Sequence, residues 1–173
     1  MPIRPILKYP DVRLREKSEP VTVFDEDLRA LAQDLAETML AAPGAGLASP
    51  QVGIPRRLIV MAGAGNDEAF DERTLFLVNP ELAKAEGEQV FEEGCLSVPD
   101  LQEKMRRAAE VTVVFQDLEG RPREITAEGR QAVILQHEID HLDGVLFLDH
   151  LSRLKREIYK RRLRKQRKEE GDA

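Results

Sequence analysis

The sequence predicts an α+β fold, and three observations predict it. Strand-like apolar runs fill the middle of the chain, one helical pattern precedes them and two follow, and the runs do not alternate regularly with helices as a parallel α/β sheet would require. With 173 residues, 42% of them hydrophobic, the chain is long enough for one domain with a real core and too short for two comfortable ones.

Each element has its own signal. In "FDEDLRALAQDLAETMLAAPG", residues 24–44, Leu28, Leu31, Leu35 and Met39 recur at helical spacing, Asp25 is a natural N-cap and Pro43-Gly44 a stop. The runs "RLIVMA" (57–62), "TLFLVN" (74–79) and "EVTVVFQ" (110–116) read as strands, and the turn "DLEG" followed by "RPREIT" makes the last of them half of a hairpin. A second helix is expected from near Thr126 to Gly144. A third runs from about Leu151 into the C-terminal tail, with Leu151, Leu154 and Ile158 marking its apolar side.

Charge divides the chain in two. From Arg153 onward there are ten Lys or Arg and four acids, a net of +6; since the whole chain is −6, residues 1–152 carry −12. Residues 1–150 therefore read as the body domain and 151–173 as a basic helix and tail, which suits either a polyanionic partner or a solvated helix face. No run approaches the ~20 apolar residues of a membrane span, and "MPIRPILKYPDVRLREK" lacks the apolar stretch of a secretory signal. A cytoplasmic protein with neither membrane nor DNA as partner is expected. The lone Cys95 fits a reducing compartment and is either a buried small hydrophobe or a chemical group.

The stretch "ILQHEIDHLDG", residues 134–144, carries the chemistry. On a helix, His137 and His141 lie one turn apart on one face and can offer two imidazoles to one metal ion. Glu138 projects beside them, placed to reach a metal-bound water without being a ligand, which is the layout of metal-assisted hydrolysis. The bland alternative is two surface histidines on an amphipathic helix. A catalytic site needs a third ligand. The lengthened protease pattern fails, because Phe147 stands where its third histidine belongs and His150 is out of register; Glu157 is a candidate for the glutamate-type proteases but sits among bases. Cys95 in "EEGCLSVP" is the better candidate, with Gly94 permitting a tight backbone and Pro99 ending the extended segment.

Three motifs in order, "GAGLASPQVG" (44–53), "EGCLS" (93–97) and "QHEIDH" (136–141), resemble the signatures of bacterial peptide deformylase, and "ILKYPDVRLREKSEPV" and "LDGVLFLDHLSRLKR" extend the resemblance over nearly the whole chain. The resemblance implies mostly antiparallel sheets packed around a central metal-bearing helix, with a C-terminal helix. It also implies removal of the formyl group from the N-terminal methionine of nascent polypeptides. It puts the metal ligands on Cys95, His137 and His141, the acid/base on Glu138, and the oxyanion donors on Gln51 and the backbone of Leu96. Gly46 matches a position that approaches the substrate backbone. One divalent ion is implied as cofactor, Fe(II) by resemblance, with zinc, nickel or cobalt compatible with the donor set. N-formylmethionyl peptides are the implied partners, and the basic C-terminal helix matches the part of the family thought to dock on the ribosome.

For the substrate methionine, Val133 and Ile134 lie one turn before His137, and Leu96 or Phe91 would complete an apolar wall, although residues at this spacing are often simply core. Three positions depart from the family pattern: Ala45 where Val or Ile is usual, Ser49 where Ala is usual, and Arg130 where an apolar residue is common. The first widens the expected pocket and the last puts a charge at its rim. Two other readings stay open: a small zinc peptidase using a carboxylate such as Glu157, and a metal-stapled RNA-associated adaptor that needs four protein ligands and no Glu138.

Overall fold

The computed structural model describes residues 3–63 and 74–171. Helix α1, Glu26–Ala41, starts where Asp25 accepts a hydrogen bond from the Leu28 N–H, 3.0 Å, and its Leu28, Leu31, Leu35 and Met39 are all buried. Strands β1 (Gly46–Ala48), β2 (Leu58–Ala62), β3 (Thr74–Glu86), β6 (Glu110–Gln116) and β7 (Pro122–Glu128) form an antiparallel sheet in the order β1-β2-β3-β6-β7. Strands β4 (Gln89–Cys95) and β5 (Val98–Arg107) make a separate hairpin. Helices α2, Gly129–Leu142, and α3, Arg153–Glu169, follow.

Strand β2 shows why the large sheet holds two helices. Its Leu58 and Val60 pack with α1 in one cluster, while Ile59 and Met61 pack with Ala132, Leu135 and Leu142 of α2 in another. Successive side chains of a strand point to opposite faces, so a strand covered on both sides reads as an unbroken apolar run. A third cluster joins Leu14, Val98, Met105, Phe147, Leu151 and Tyr159, seating the hairpin and α3 against the N-terminal segment. The α+β architecture around a central helix is as expected from the sequence.

Three expectations are corrected. Helix α2 begins at Gly129, not near Thr126; Thr126 belongs to β7 and its hydroxyl meets that of Thr112 across the ladder at 2.9 Å. The alternation of exposed Thr126 with buried Ala127 is a period of two, and it wins over the helical pattern downstream. Pro99 does not end the extended segment but is the second residue of β5. In α3, which Ser152 caps by accepting from the Lys155 N–H, Leu154 and Ile158 are 70% and 47% exposed, while Tyr159 is 2% exposed. The helix is rotated so that Tyr159 and half-buried Leu163 face the body, because the Tyr159 hydroxyl donates to the Pro99 carbonyl at 2.9 Å. Among the described residues no helix is long and apolar enough to cross a membrane. Asp172 and Ala173, the end of the basic tail, lie outside the described residues.

Candidate metal centre

Helix α2 and the turn of the β4–β5 hairpin meet at one point. Cys95 ends β4, and its Sγ lies 3.3 Å from His141 Nε2, which in turn lies 3.2 Å from His137 Nε2. The three donor atoms all fall within 4.8 Å of one another. The hairpin turn at Leu96 and Ser97 has no positive φ, so it is not one of the primed turns that keep strands together. The strands diverge there, pairing shifts from Cys95 with Val98 to Gly94 with Gln102, and Asp100 takes φ +62° in the bulge. Gly94 is not required by a tight turn: an added Cβ would meet only ordinary contacts, the nearest Gln102 Cγ at 3.5 Å.

The donor set fits a cation. Donors sharing one tetrahedral ion at ordinary zinc–ligand distances sit about 3.3–3.7 Å apart, close to the separations of His141 Nε2 from Cys95 Sγ and from His137 Nε2. Burial opposes a charge on His137, but hydrogen bonds to the Cys95 sulfur and Glu93 hold its proton affinity well above the usual histidine range. Burial, reinforced by His137 and Arg107, pushes His141 well below that range. A cluster that draws a proton between a cysteine sulfur and a carboxylate offers the same place to a metal ion. Glu157 lies outside this group and pairs with Lys160 on α3 at 3.9 Å. Among the described residues the group has three members rather than the four of a purely structural ion.

Glu138 is 3% exposed, with Oε1 3.7 Å from His137 Nε2 and Oε2 buried without a hydrogen-bond partner among the described residues. Burial pushes its carboxyl up to about 7. Gln51, 1% exposed, accepts from the Ala48 N–H through Oε1 and turns its Nε2 toward the hairpin, 3.8 Å from Cys95 Sγ. A cleft of about 790 Å³ opens over the cluster, lined among others by Ala45, Gly46, Phe91, Leu96, Arg130, Val133 and Ile134. Its wall includes β1, the edge strand of the large sheet. Gly46 packs so closely that a Cβ would stand 3.0 Å from both Glu138 Cγ and Ile134 Cγ2. Ser49 is fully buried and its hydroxyl donates to the Ile54 carbonyl, a local turn contact.

Sequence reasoning missed the side chains behind the cluster. Glu93 accepts from His137 Nδ1 at 3.1 Å and receives two hydrogen bonds from Arg107, 2.7 and 2.9 Å. Arg107 also donates to Asp140 at 2.8 Å, and His150 contacts that same carboxylate at 3.1 Å. Burial would raise the Glu93 carboxyl, but His137 and Arg107 overcome it and hold it at about 2, so it stays ionised and fixes the His137 tautomer. The sequence carried no strand signal for β4, which would have put Glu93, two before Cys95, on the same face as the sulfur.

A cysteine sulfur, two imidazoles and a buried carboxyl at the floor of a cleft define a metal-dependent hydrolase. The family described as polypeptide deformylase matches residues 3–157. The chain is 49% identical over 165 residues to the peptide deformylase of Desulfotalea psychrophila, covering 95% of this chain and 97% of the relative. The fold superposes on a crystal structure of a peptide deformylase from Legionella pneumophila with a TM-score of 0.89 at 46% identity, covering 99% of both chains. It also superposes on a Met-Ala-Ser-bound class I type b peptide deformylase from Acinetobacter baumannii with a TM-score of 0.80 at 35% identity, covering 87% of this chain and 99% of that one. The chain belongs to the peptide deformylase family.

Proposed function

We propose that this chain hydrolyses the bond between the formyl group and the N-terminal methionine of nascent polypeptides, releasing formate and a free α-amino group. The observation that carries the reading is the half-partnered, buried Glu138 carboxyl beside the Cys95–His137–His141 group, at the floor of a cleft walled by an edge strand. A divalent ion held by these three side chains supplies Lewis acidity to the formyl oxygen and to water. Glu138 takes the proton of the attacking water and passes it to the leaving nitrogen, a role its buried carboxyl beside the Cys95–His137–His141 group is placed for. Gln51 Nε2 and the Leu96 N–H donate to the oxyanion of the tetrahedral intermediate. The methionine side chain enters between Phe91, Val133 and Ile134, and the peptide backbone lies along Ala45 and Gly46 as an added strand. The Acinetobacter baumannii relative binds Met-Ala-Ser, and a tripeptide matches the size of this cleft.

The native ion in this reading is Fe(II), and zinc, nickel or cobalt suit the same donors. Residues 1–150 carry the catalysis in the cytoplasm, and the basic helix from residue 151 onward docks on the ribosome, supported by its excess of six positive charges from Arg153. Such docking weakens with rising salt. The deciding experiment is formate release from formyl-Met-Ala-Ser by protein purified without oxygen, with acetyl-Met-Ala-Ser beside it. Release from the formyl peptide alone supports the reading. No release from folded, metal-loaded protein sinks it.

A further inference from the structure

We infer that Ser97 is a positioning residue for the reaction, fixing the direction in which the Gln51 amide presents its N–H groups; the inference rests on the role proposed above for Gln51. The Ala48 N–H, 2.9 Å from Gln51 Oε1, can only face an acceptor, so it decides which end of the amide is oxygen. The nitrogen end is then directed at the hairpin turn. There Ser97 Oγ accepts from Nε2 at 3.0 Å, a normal hydrogen bond, while Cys95 Sγ stands farther off at 3.8 Å. An amide nitrogen carries two protons. Ser97 takes one, and the other is left for the sulfur or for a developing oxyanion.

Ser97 is itself immobile. It is fully buried, it sits in the two-residue turn between Cys95 and Val98, and its carbonyl accepts from the Tyr9 N–H at 2.7 Å. The amide is therefore held at both ends by buried groups of the fold. Without the hydroxyl, the Ala48 contact alone leaves the nitrogen end free to tilt toward the sulfur. A donor that must reorient during the reaction stabilises the transition state less than one already in place. A hydroxyl that only tied the hairpin to the turn of Ser49–Val52 would matter for folding and not for turnover, so the two roles separate in kinetics.

The test is a double-mutant cycle with Ser97→Ala, Gln51→Ala and the pair, assayed on formyl-Met-Ala-Ser. If Ser97 acts through Gln51, Ser97→Ala lowers kcat about ten-fold with KM within about two-fold, and adding it to Gln51→Ala costs nothing more. Full activity of Ser97→Ala, or the same loss in both backgrounds, overturns the inference. A fully active Gln51→Ala overturns the role proposed for Gln51, and this inference with it, and so is told apart from failure of Ser97 alone. Should Ser97→Ala melt early, the wild-type side-chain amide spectrum decides: one Gln51 Nε2 proton protected from solvent exchange supports the inference, and two rapidly exchanging protons refute it.

Discussion

Helices α2 and α3 are similar in length, 14 and 17 residues, and both carry titratable side chains, yet they treat charge in opposite ways. Helix α2 buries His137, Glu138 and His141; α3 buries Tyr159 and leaves its lysines and arginines largely in water. The difference teaches what each can do. A group taken out of water has its proton affinity reset: burial raises the Glu138 carboxyl, while His137 and Arg107 overcome burial at Glu93 and keep it ionised. A group left in water keeps its charge and serves long-range attraction, which salt screens.

The comparison breaks most sharply at Glu138. Glu138→Gln keeps the shape and removes the proton acceptor, and kcat should fall about a hundred- to ten-thousand-fold in the formate assay with the bound metal retained. Next is Arg107→Ala, which strands the buried Glu93 and the Asp140 carboxylate on α2; urea unfolding should show a loss of about 3–5 kcal/mol. A smaller effect belongs to Tyr159, whose phenol burial pushes up to about 12. Below pH 10 both states keep the proton; between 10 and 12 the unfolded chain releases it first, so stability falls as pH rises, by at most roughly 2–3 kcal/mol. A Tyr9→Phe variant leaves one phenol in the chain, and its absorbance titration should centre above the usual tyrosine value, held there by burial. The smallest effect sharpens the contrast from the other side: Lys160→Ala removes an exposed pair with Glu157 and should change stability by less than about 0.5 kcal/mol.

Much of this was legible in the sequence because it follows local periodicity. Leu28, Leu31, Leu35 and Met39 mark the buried side of α1, and His137 and His141 share a face of α2 because four residues make about one turn. The hairpin β4–β5 was not legible. Its strands carry Glu92, Glu93, Lys104, Arg106 and Arg107, residues that read as solvent-facing, and nothing local reveals that Glu93 and Arg107 neutralise each other inside. Leu154 and Ile158 misled for the converse reason: their spacing is helical and apolar, but a single hydrogen-bonded tyrosine sets the rotation of α3. The N-cap of α1 was visible because capping involves residues three apart; the pairing of Gln51 with Ser97 spans 46 positions.

The crossing of the N-terminal segment with the end of α2 bears on when the protein can fold. Gly144 passes so near Arg15 that a Cβ there would strike the Arg15 carbonyl, and the Ser18 N–H bonds to the Leu142 carbonyl. The two partners of the first crossing are 129 residues apart. During synthesis, Arg15 and Ser18 lack these partners until residues 142–144 have emerged. The closing of this crossing is thus a late event, and slow elongation before residue 144 prolongs the exposure of Leu14 and its neighbours to chaperones.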